Sequence, residues 1–577
     1  MIEATFGSRE MQAQGLPTYF ESPLKILTAN RHEEVQPLLK AAEAEALAGH
    51  WVALMLSYEA APAFDRAMKT RPASGLPLGW AAVFAAPAKT IPAIVADEYE
   101  VGPWTPLVTR EEFVNAISEI RELIAAGDTY QVNFTFPLVA AFKGDARAWF
   151  RNLCRAQGAE YCAYFDLGRY KLLSVSPELF FALEGRKITT RPMKGTIGRG
   201  RWLAEDVQMA ERLAESAKDR AENVMIVDLL RNDVGRVAIP GSVNVKRLFD
   251  LERYETLWQM TSTIEATLRS DVDFAELVAR LFPCGSITGA PKIRTMEIIR
   301  DLEPFPRGVY TGTLGFLQPG GAAVFNVAIR TITIDAEEGV ATFGVGGGIT
   351  YDSTAEREYE ECLVKSSFLN SKPVEFQLLE SLLLEDGSFF LLERHLERMK
   401  HSATYFGFYF PEAEIRSKLE HIVADHAEGS WKIRLLVSRN GEVSIETQAR
   451  EDLKQPIRVA LAVKPVSAGD RFLFHKTTNR SVYDDAIASR PDCDDVILWN
   501  EAGEVTESTI ANVVVSLGGR FYTPQRHSGL LAGTLREELL TTGKISERLI
   551  RREDLSEATE IFLINSVSKW RQALLVP

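Results

Sequence analysis

Two successive domains, each mixing helix and strand in an α/β or α+β arrangement, are predicted from three observations. The chain has 577 residues, more than one hydrophobic core usually supports. Helical and strand-like patterns alternate along its whole length. A proline break near residue 373 is followed by a fresh strand, turn, strand and helix pattern, as at the start of a new fold. The expected domains are residues 1–370 and 375–577, with no long linker and no internal repeat.

The elements follow in order. Up to about residue 105, strand-like pieces such as WVALMLSYEA and the Pro-interrupted run GLPLGWAAVFAAPAKTIPA suggest sheet and loops. Phe113, Ile117, Ile120 and Ile124 fall on one face of a helix over 111–126, with Gly127 where it would stop. Further helical patterns lie around 203–230 and 355–369. Between them KLLSVSPELFFALEG, VYTGTLGFL, AVFNVAIRTITI and ATFGVGG read as strands. Beyond Pro373, LLESLLLEDGSFFLLERHLERM reads as a hairpin through Asp-Gly and then a helix.

Composition narrows the function. With 46% apolar and 25% charged residues the chain can bury two cores. A formal charge of -14 and the lack of a dense Lys/Arg block argue against nucleic acid. Five scattered cysteines without a Cys-x-x-Cys pair point to a reducing compartment and away from a thiolate metal site. No apolar run is long enough to cross a bilayer and the start has no signal-peptide pattern, so a cytoplasmic location away from membranes is expected.

Several residues stand in settings that suggest chemistry. Glu178 heads an apolar strand, Glu222 opens a helical run, and Glu358 and Glu361 lie three apart on one helix face. Such carboxylates would repel one another unless a hard divalent cation joined them; solvated faces are the ordinary alternative. Lys194, in RPMKGTIGRG, is placed at a strand-to-loop junction, where the cations Arg191 and Arg199 would lower its pKa and favour a nucleophilic amine. The Gly-rich runs CGSITGAPK, RGVYTGTLG and GVGGGITYDS could offer backbone N–H groups to a small dicarboxylate, with Lys292, Arg307 and Arg330 adding charge. Equally, each could be a tight turn.

In order, GDTYQVNFT, SPELFF, RPMKGT, ENVMIVDLLRNDVGRV, FPCGSITGAPK, RGVYTGTLG, FNVAIRT and GVGGGITYDS with EREYEEC resemble the motifs of chorismate-utilising enzymes, which include anthranilate, isochorismate and aminodeoxychorismate synthases. The resemblance is strong over 110–368. It implies a large two-sheet α/β sandwich holding chorismate and Mg2+, with Glu222, Glu358 and Glu361 as metal ligands. It also implies Arg330 and a turn at Gly348 on the substrate carboxylates, with Thr288, Gly289, Lys292 and Tyr310 in the same site, and Glu178 as the acid assisting loss of the C4 hydroxyl. Lys194 selects the branch: anthranilate synthases carry alanine there and aminodeoxychorismate synthases lysine. Gln259, where many relatives have histidine, receives no role. Without a glutaminase constellation of its own, the chain is expected to take ammonia from a separate glutamine amidotransferase subunit.

In the second half, Lys476 follows an aromatic run expected as strand, Glu507 precedes a β-branched strand, and Arg398 and LLAGTLR could face an anion. LLERHLERM, FLFHKTTNR, TESTIANVVV and TPQRHSGLLAGTLREE resemble the class IV aminotransferase fold family, over roughly 376–570. This resemblance implies a two-subdomain fold that binds pyridoxal 5'-phosphate and forms a homodimer. Lys476 would bond the cofactor, Glu507 would face its pyridine nitrogen with Asn512 nearby, and Arg398, Gly533 and Thr534 would hold its phosphate. Ser568 and Lys569 depart from the usual family pattern. Fusion to the first half favours a lyase that releases pyruvate and leaves 4-aminobenzoate for folate biosynthesis. The competing expectations are an anthranilate synthase-like component joined to a D-amino-acid or branched-chain transaminase, or a chain in which one half has become a non-catalytic interaction module.

Overall fold

The computed structural model describes residues 2–7, 18–73, 75–88, 98–370, 374–450 and 456–577. Pro373, where the domain break is expected, lies outside them, as do the last residues of the Ala/Pro-rich run. The chain packs into two units: residues 1–198 with 210–373, and residues 199–209 with 374–577. Among the described residues no helix is long and apolar enough to cross a membrane.

The first unit is a sandwich of two ten-stranded sheets. Phe6, Phe20, Phe165 and Leu172 on one sheet meet Met55, Trp80, Phe84 and Phe316 on the other in a buried layer. This is the face-to-face packing that alternating strands produce. Helices cover the outer face of each sheet. The helix Arg110–Ala125 buries Phe113, Ala116, Ile117 and Ile120 on the periodic face read from the sequence. Thr109 and Glu112 close its N-terminus reciprocally, at 3.2 and 2.8 Å, which satisfies donors a helix start leaves open. The pattern at 203–230 becomes two helices, Leu203–Glu215 and Ala217–Gly235, because Ser216 caps the second by accepting from the Asp219 N–H.

One prominent departure concerns GVGGGITYDS. ATFGVGG is strand as expected, and the strand runs on through Gly348, where a turn was expected: Val340–Ile349 pairs antiparallel with Gln131–Gly144 from Val340↔Ala141 to Ile349↔Val132. Ten consecutive ladder pairs hold these glycines extended, and the freedom of a lone glycine yields to them.

The second unit has two subdomains. A four-stranded sheet formed by Ser388–Phe390, Leu378–Glu385, Ser430–Val437 and Val443–Ala449 packs one face against the helix Leu392–Phe406. Its first hairpin turns at Asp386 and Gly387, both with positive φ, as an Asp-Gly turn allows. The other subdomain is a sheet in which Val505–Ser508 pairs both with Asp495–Trp499 and with Asn512–Leu517, closing a ring of strands. The closing pair is Glu507↔Asn512. Residues 199–209 belong to this unit, where Trp202 joins the cluster of Ala462, Val466, Leu473 and Phe474.

Candidate active sites

A cavity of about 220 Å³ opens in the first unit and is lined by Glu178, Lys194, Glu222, Tyr310, Arg330, Gly348, Glu358 and Glu361. Lys194 sits on the strand Met193–Gly198, whose pairing with Leu257–Thr267 is irregular between Met193 and Thr196. An irregular register turns a side chain away from the regular alternation. The surrounding backbone is fastened: Asn223 donates to the Lys194 carbonyl at 3.2 Å, and Gln259 donates to the Gly195 carbonyl at 2.8 Å while accepting from Thr196. Gln259, left without a role by the motif comparison, is therefore a support of the lysine strand.

Burial lowers the Lys194 pKa, and the nearby Lys365 charge lowers it further. The cations expected to do this are occupied elsewhere: Arg191 pairs with Glu160 and Glu252, and Arg199 with Asp206 in the other unit. Gly348 explains its own identity. A side chain there would collide with the Gln131 amide and lie 2.8 Å from Lys194 Nζ. The glycine makes room for the amine, and a hydrogen-bonding turn is not what it provides.

Glu178 is 2% exposed. Burial pushes its carboxyl up to about 7, against the opposing effects of Ser286 and Lys194, and one of its oxygens has no hydrogen-bond partner among the described residues. Arg330 is held in a left-handed conformation at φ 51, over the Phe368 ring, with its pKa lowered to about 10 by burial. Glu222 and Glu358 are raised by burial, whereas the charge of Lys365, 2.7 Å away, holds Glu361 down against its burial. The three expected metal ligands thus share one cavity wall, yet among the described residues no three acids come close enough to grip an ion together.

Other expected residues lie outside this wall. The Thr288 hydroxyl donates to the carbonyls of Cys284 and Gly285. Gly289 pairs with Val132 at a sheet edge. Lys292 is bound to Asp233 at 2.7 Å and to the Leu281 carbonyl. Arg307 is buried against Glu303 and the carbonyls of Ile287 and Asn133. In this arrangement their polar groups are taken up by the protein itself.

The second unit contains a larger cavity of about 690 Å³ lined by Arg398, Lys476, Glu507, Asn512, Gly533 and Thr534. Lys476 follows a 3-10 turn, Arg471–Phe474, where a strand was expected. Phe474 and Leu473 are buried in a cluster, so burial and not strand pairing produces the apolar run. Burial and then the Arg398 charge bring the Lys476 amine to about 8. The adjacent His475 is kept neutral by burial, its Nδ1 beside the Ser402 hydroxyl and its Nε2 beside the Arg201 carbonyl.

Glu507, 4% exposed, accepts from the Tyr483 hydroxyl at 2.8 Å, the Leu531 N–H at 3.1 Å and Asn512 at 3.3 Å. Burial still pushes it up to about 7. Such a carboxylate is ready to accept a cationic N–H. Arg398 donates twice to Glu380 and once to the Ala532 carbonyl. Burial would raise Glu380, but the charges of Arg398 and His395 hold it at about 2. His395 in turn reaches the Thr534 hydroxyl at 3.1 Å. Glu380, His395 and Tyr483 escaped the sequence reading; an acid inside the apolar run LLESLLL was the available signal for Glu380.

A family model described as chorismate binding enzyme matches residues 8–371, more than half of the chain. The chain belongs to the chorismate binding enzyme family. Residues 377–576 match the class IV amino-transferase model, so a chorismate binding domain is fused to a class IV aminotransferase-like domain. Aminodeoxychorismate synthase component 1 of Salmonella typhimurium is 44% identical over 262 residues, covering 45% of this chain and 57% of that protein. Anthranilate synthase component 1 of Streptomyces coelicolor is 39% identical over 264 residues, covering 46% and 51%. The chain spans just over half the length of these curated relatives. The structure of anthranilate synthase component I from Streptococcus pneumoniae shares the fold of this chorismate binding domain, with a TM-score of 0.54 at 22% identity, over 64% of this chain and 92% of that one.

Proposed function

We propose that this chain forms 4-amino-4-deoxychorismate from chorismate and ammonia in its first domain, and removes pyruvate in its second to leave 4-aminobenzoate. The observation that carries the reading is Lys194, an amine of lowered pKa in one cavity with the proton-holding Glu178. An anthranilate-forming site needs no amine there. The name of the Salmonella relative supports the same branch, although an anthranilate synthase matches nearly as well.

In the first domain Arg330 would bind a substrate carboxylate. Glu178, protonated near neutral pH, would give its proton to the C4 hydroxyl, which leaves as water while the Lys194 amine bonds to C2. The Glu178 carboxylate can then take the surplus proton from the new ammonium. Ammonia attacking C4 shifts the double bond back and expels Lys194, to which Glu178 returns the proton so that it leaves as a free amine, and one hard displacement becomes two easier ones. Glu222, Glu358 and Glu361 supply only oxygen donors on one cavity wall, the donor type a hard divalent cation takes, and holding the ion would require them to draw closer together than they lie here. Mg2+ held there would neutralise a substrate carboxylate.

In the second domain the buried Lys476 amine, the raised Glu507 and the N-terminus of the helix Thr534–Thr541 fit pyridoxal 5'-phosphate. Gly533, at the start of that helix, lines the cavity beside Thr534, and Asn512 packs where its side chain would otherwise be. The cofactor, when bound, would supply the electron sink that acidifies the C4–H bond. Lys476 would take that proton, the C3–O bond would break, and the departing enolpyruvate would be protonated to pyruvate. Glu507 would keep the pyridine nitrogen protonated. A separate glutamine amidotransferase would deliver ammonia, and the second domain would form a homodimer.

The product formed from chorismate, Mg2+ and ammonium without pyridoxal phosphate tests the first step. The expected product is 4-amino-4-deoxychorismate; 2-aminobenzoate would overturn the role of Lys194.

A further inference from the structure

Part of the lining of the second cavity comes from the four-stranded sheet, and its chemistry bears on what the cavity accepts. Along Ser430–Val437, Ile433, Leu435 and Val437 are buried in the core of that subdomain. Alternation places Lys432 and Arg434 on the opposite face, and both line the cavity. Gln448 stands across from Lys432, and Ser381 across from Arg434.

Seven Lys and Arg side chains line the cavity against two carboxylates, Asp494 and Glu507. Several of the cations are committed: Arg398 to Glu380, Arg450 to Glu385 and Arg480 to the Thr509 carbonyl. Lys432 has no ion-pair partner among the described residues. Arg434 meets only Glu446, at 3.5 Å, with both side chains about half exposed, a pair that holds weakly. Arg571, which also lines the cavity, is 9% exposed, and its Nε has no partner among the described residues. An excess of cations along one cavity raises the local concentration of anions. Leu379, Ile510, Leu531 and Ile564 also line the cavity, so it is the cations that would set a dicarboxylate apart from an apolar amino acid.

We propose that Lys432 and Arg434 recognise a carboxylate of a cyclic dicarboxylate, and so select such a substrate over apolar amino acids. The proposal rests on the lyase reading of the second domain and names the residues that would make it selective. Both act on binding, so their loss should raise KM more than it lowers kcat.

Benzene-1,3-dicarboxylate and benzoate serve as inert probes of the full-length protein loaded with pyridoxal phosphate, their dissociation constants being read by calorimetry. The wild type should bind the dicarboxylate at least about tenfold tighter than benzoate, as one further charge-assisted hydrogen bond allows. Lys432→Gln and Arg434→Gln should each shrink that preference, and the two together should abolish it, whereas Lys432→Arg should keep it. The visible absorption of bound cofactor should stay unchanged in all four. Equal affinity of the wild type for both probes, or a preference that survives both glutamines, would overturn the proposal. Should the double variant lose its cofactor, the single variants decide. The lyase reading fails separately, if the wild type prefers the dicarboxylate but releases no pyruvate from 4-amino-4-deoxychorismate.

Discussion

Lys194 and Glu178 must hold opposite protonation states in one small cavity, and burial drives each toward its neutral form. Below about 7 Glu178 keeps its proton, so the step needing an acid weakens as pH rises through that value. The lysine has the opposite sign: more of it is free amine as pH rises, from a pKa already lowered by burial and Lys365. The kcat/KM for amination should therefore be bell-shaped, and Glu178→Gln should remove the alkaline fall while lowering the rate by about 10²–10⁴-fold. A profile of unchanged shape in that variant would show that Glu178 is not the acid. Gly348→Ala should crowd Gln131 and Lys194. The expected cost is about 1–3 kcal/mol in denaturant unfolding, with amination lost and the second activity kept. Lys194, Glu178, Lys476 and Glu507 were legible because each is an ionisable residue inside an apolar or Gly-rich motif. The cause of the Lys194 shift was not, since Lys365 lies 171 positions further along the sequence and only the folded chain brings them together.

Local signals predict elements well when the element satisfies itself. The helix Arg110–Ala125 shows its apolar face and its Thr109–Glu112 cap in one window of sequence, and the hairpin at Asp386–Gly387 does the same. Thr109→Ala should cost about 1 kcal/mol, read as a lower urea midpoint with unchanged slope. No change in midpoint would mean that the cap contributes nothing there. Elements that depend on a distant partner were misread. Gly348, expected in a turn, becomes strand because Gln131–Gly144 pairs with Val340–Ile349 along its whole length. The run before Lys476 is a 3-10 turn because its aromatics fill a core. Closure of the barrel at Glu507↔Asn512, five residues apart, has a sequence signature only in hindsight. Thr288, Gly289 and Lys292 sit in a Gly-rich motif that reads as a binding loop, yet they hydrogen-bond or pair with the protein itself.

At the scale of the molecule, each unit contains its own cavity with its own lysine, so the two activities should be separable by single substitutions. Lys476→Ala should abolish the visible absorption of bound cofactor and stop pyruvate release. Amination should continue, so that 4-amino-4-deoxychorismate accumulates; loss of amination as well would argue against separate sites. The two-domain α/β and α+β character was readable from alternating patterns, because each sheet and helix carries its own periodicity. The assignment of residues 199–209 to the second unit was not, since Trp202 finds its cluster among residues more than 250 positions away. The most direct measurement is to supply the full-length protein with chorismate, ammonium, Mg2+ and pyridoxal phosphate, and to count aromatic product and pyruvate together. Equal amounts of 4-aminobenzoate and pyruvate are predicted. Pyruvate accompanied by 2-aminobenzoate, or amination without any 4-aminobenzoate, would contradict the account.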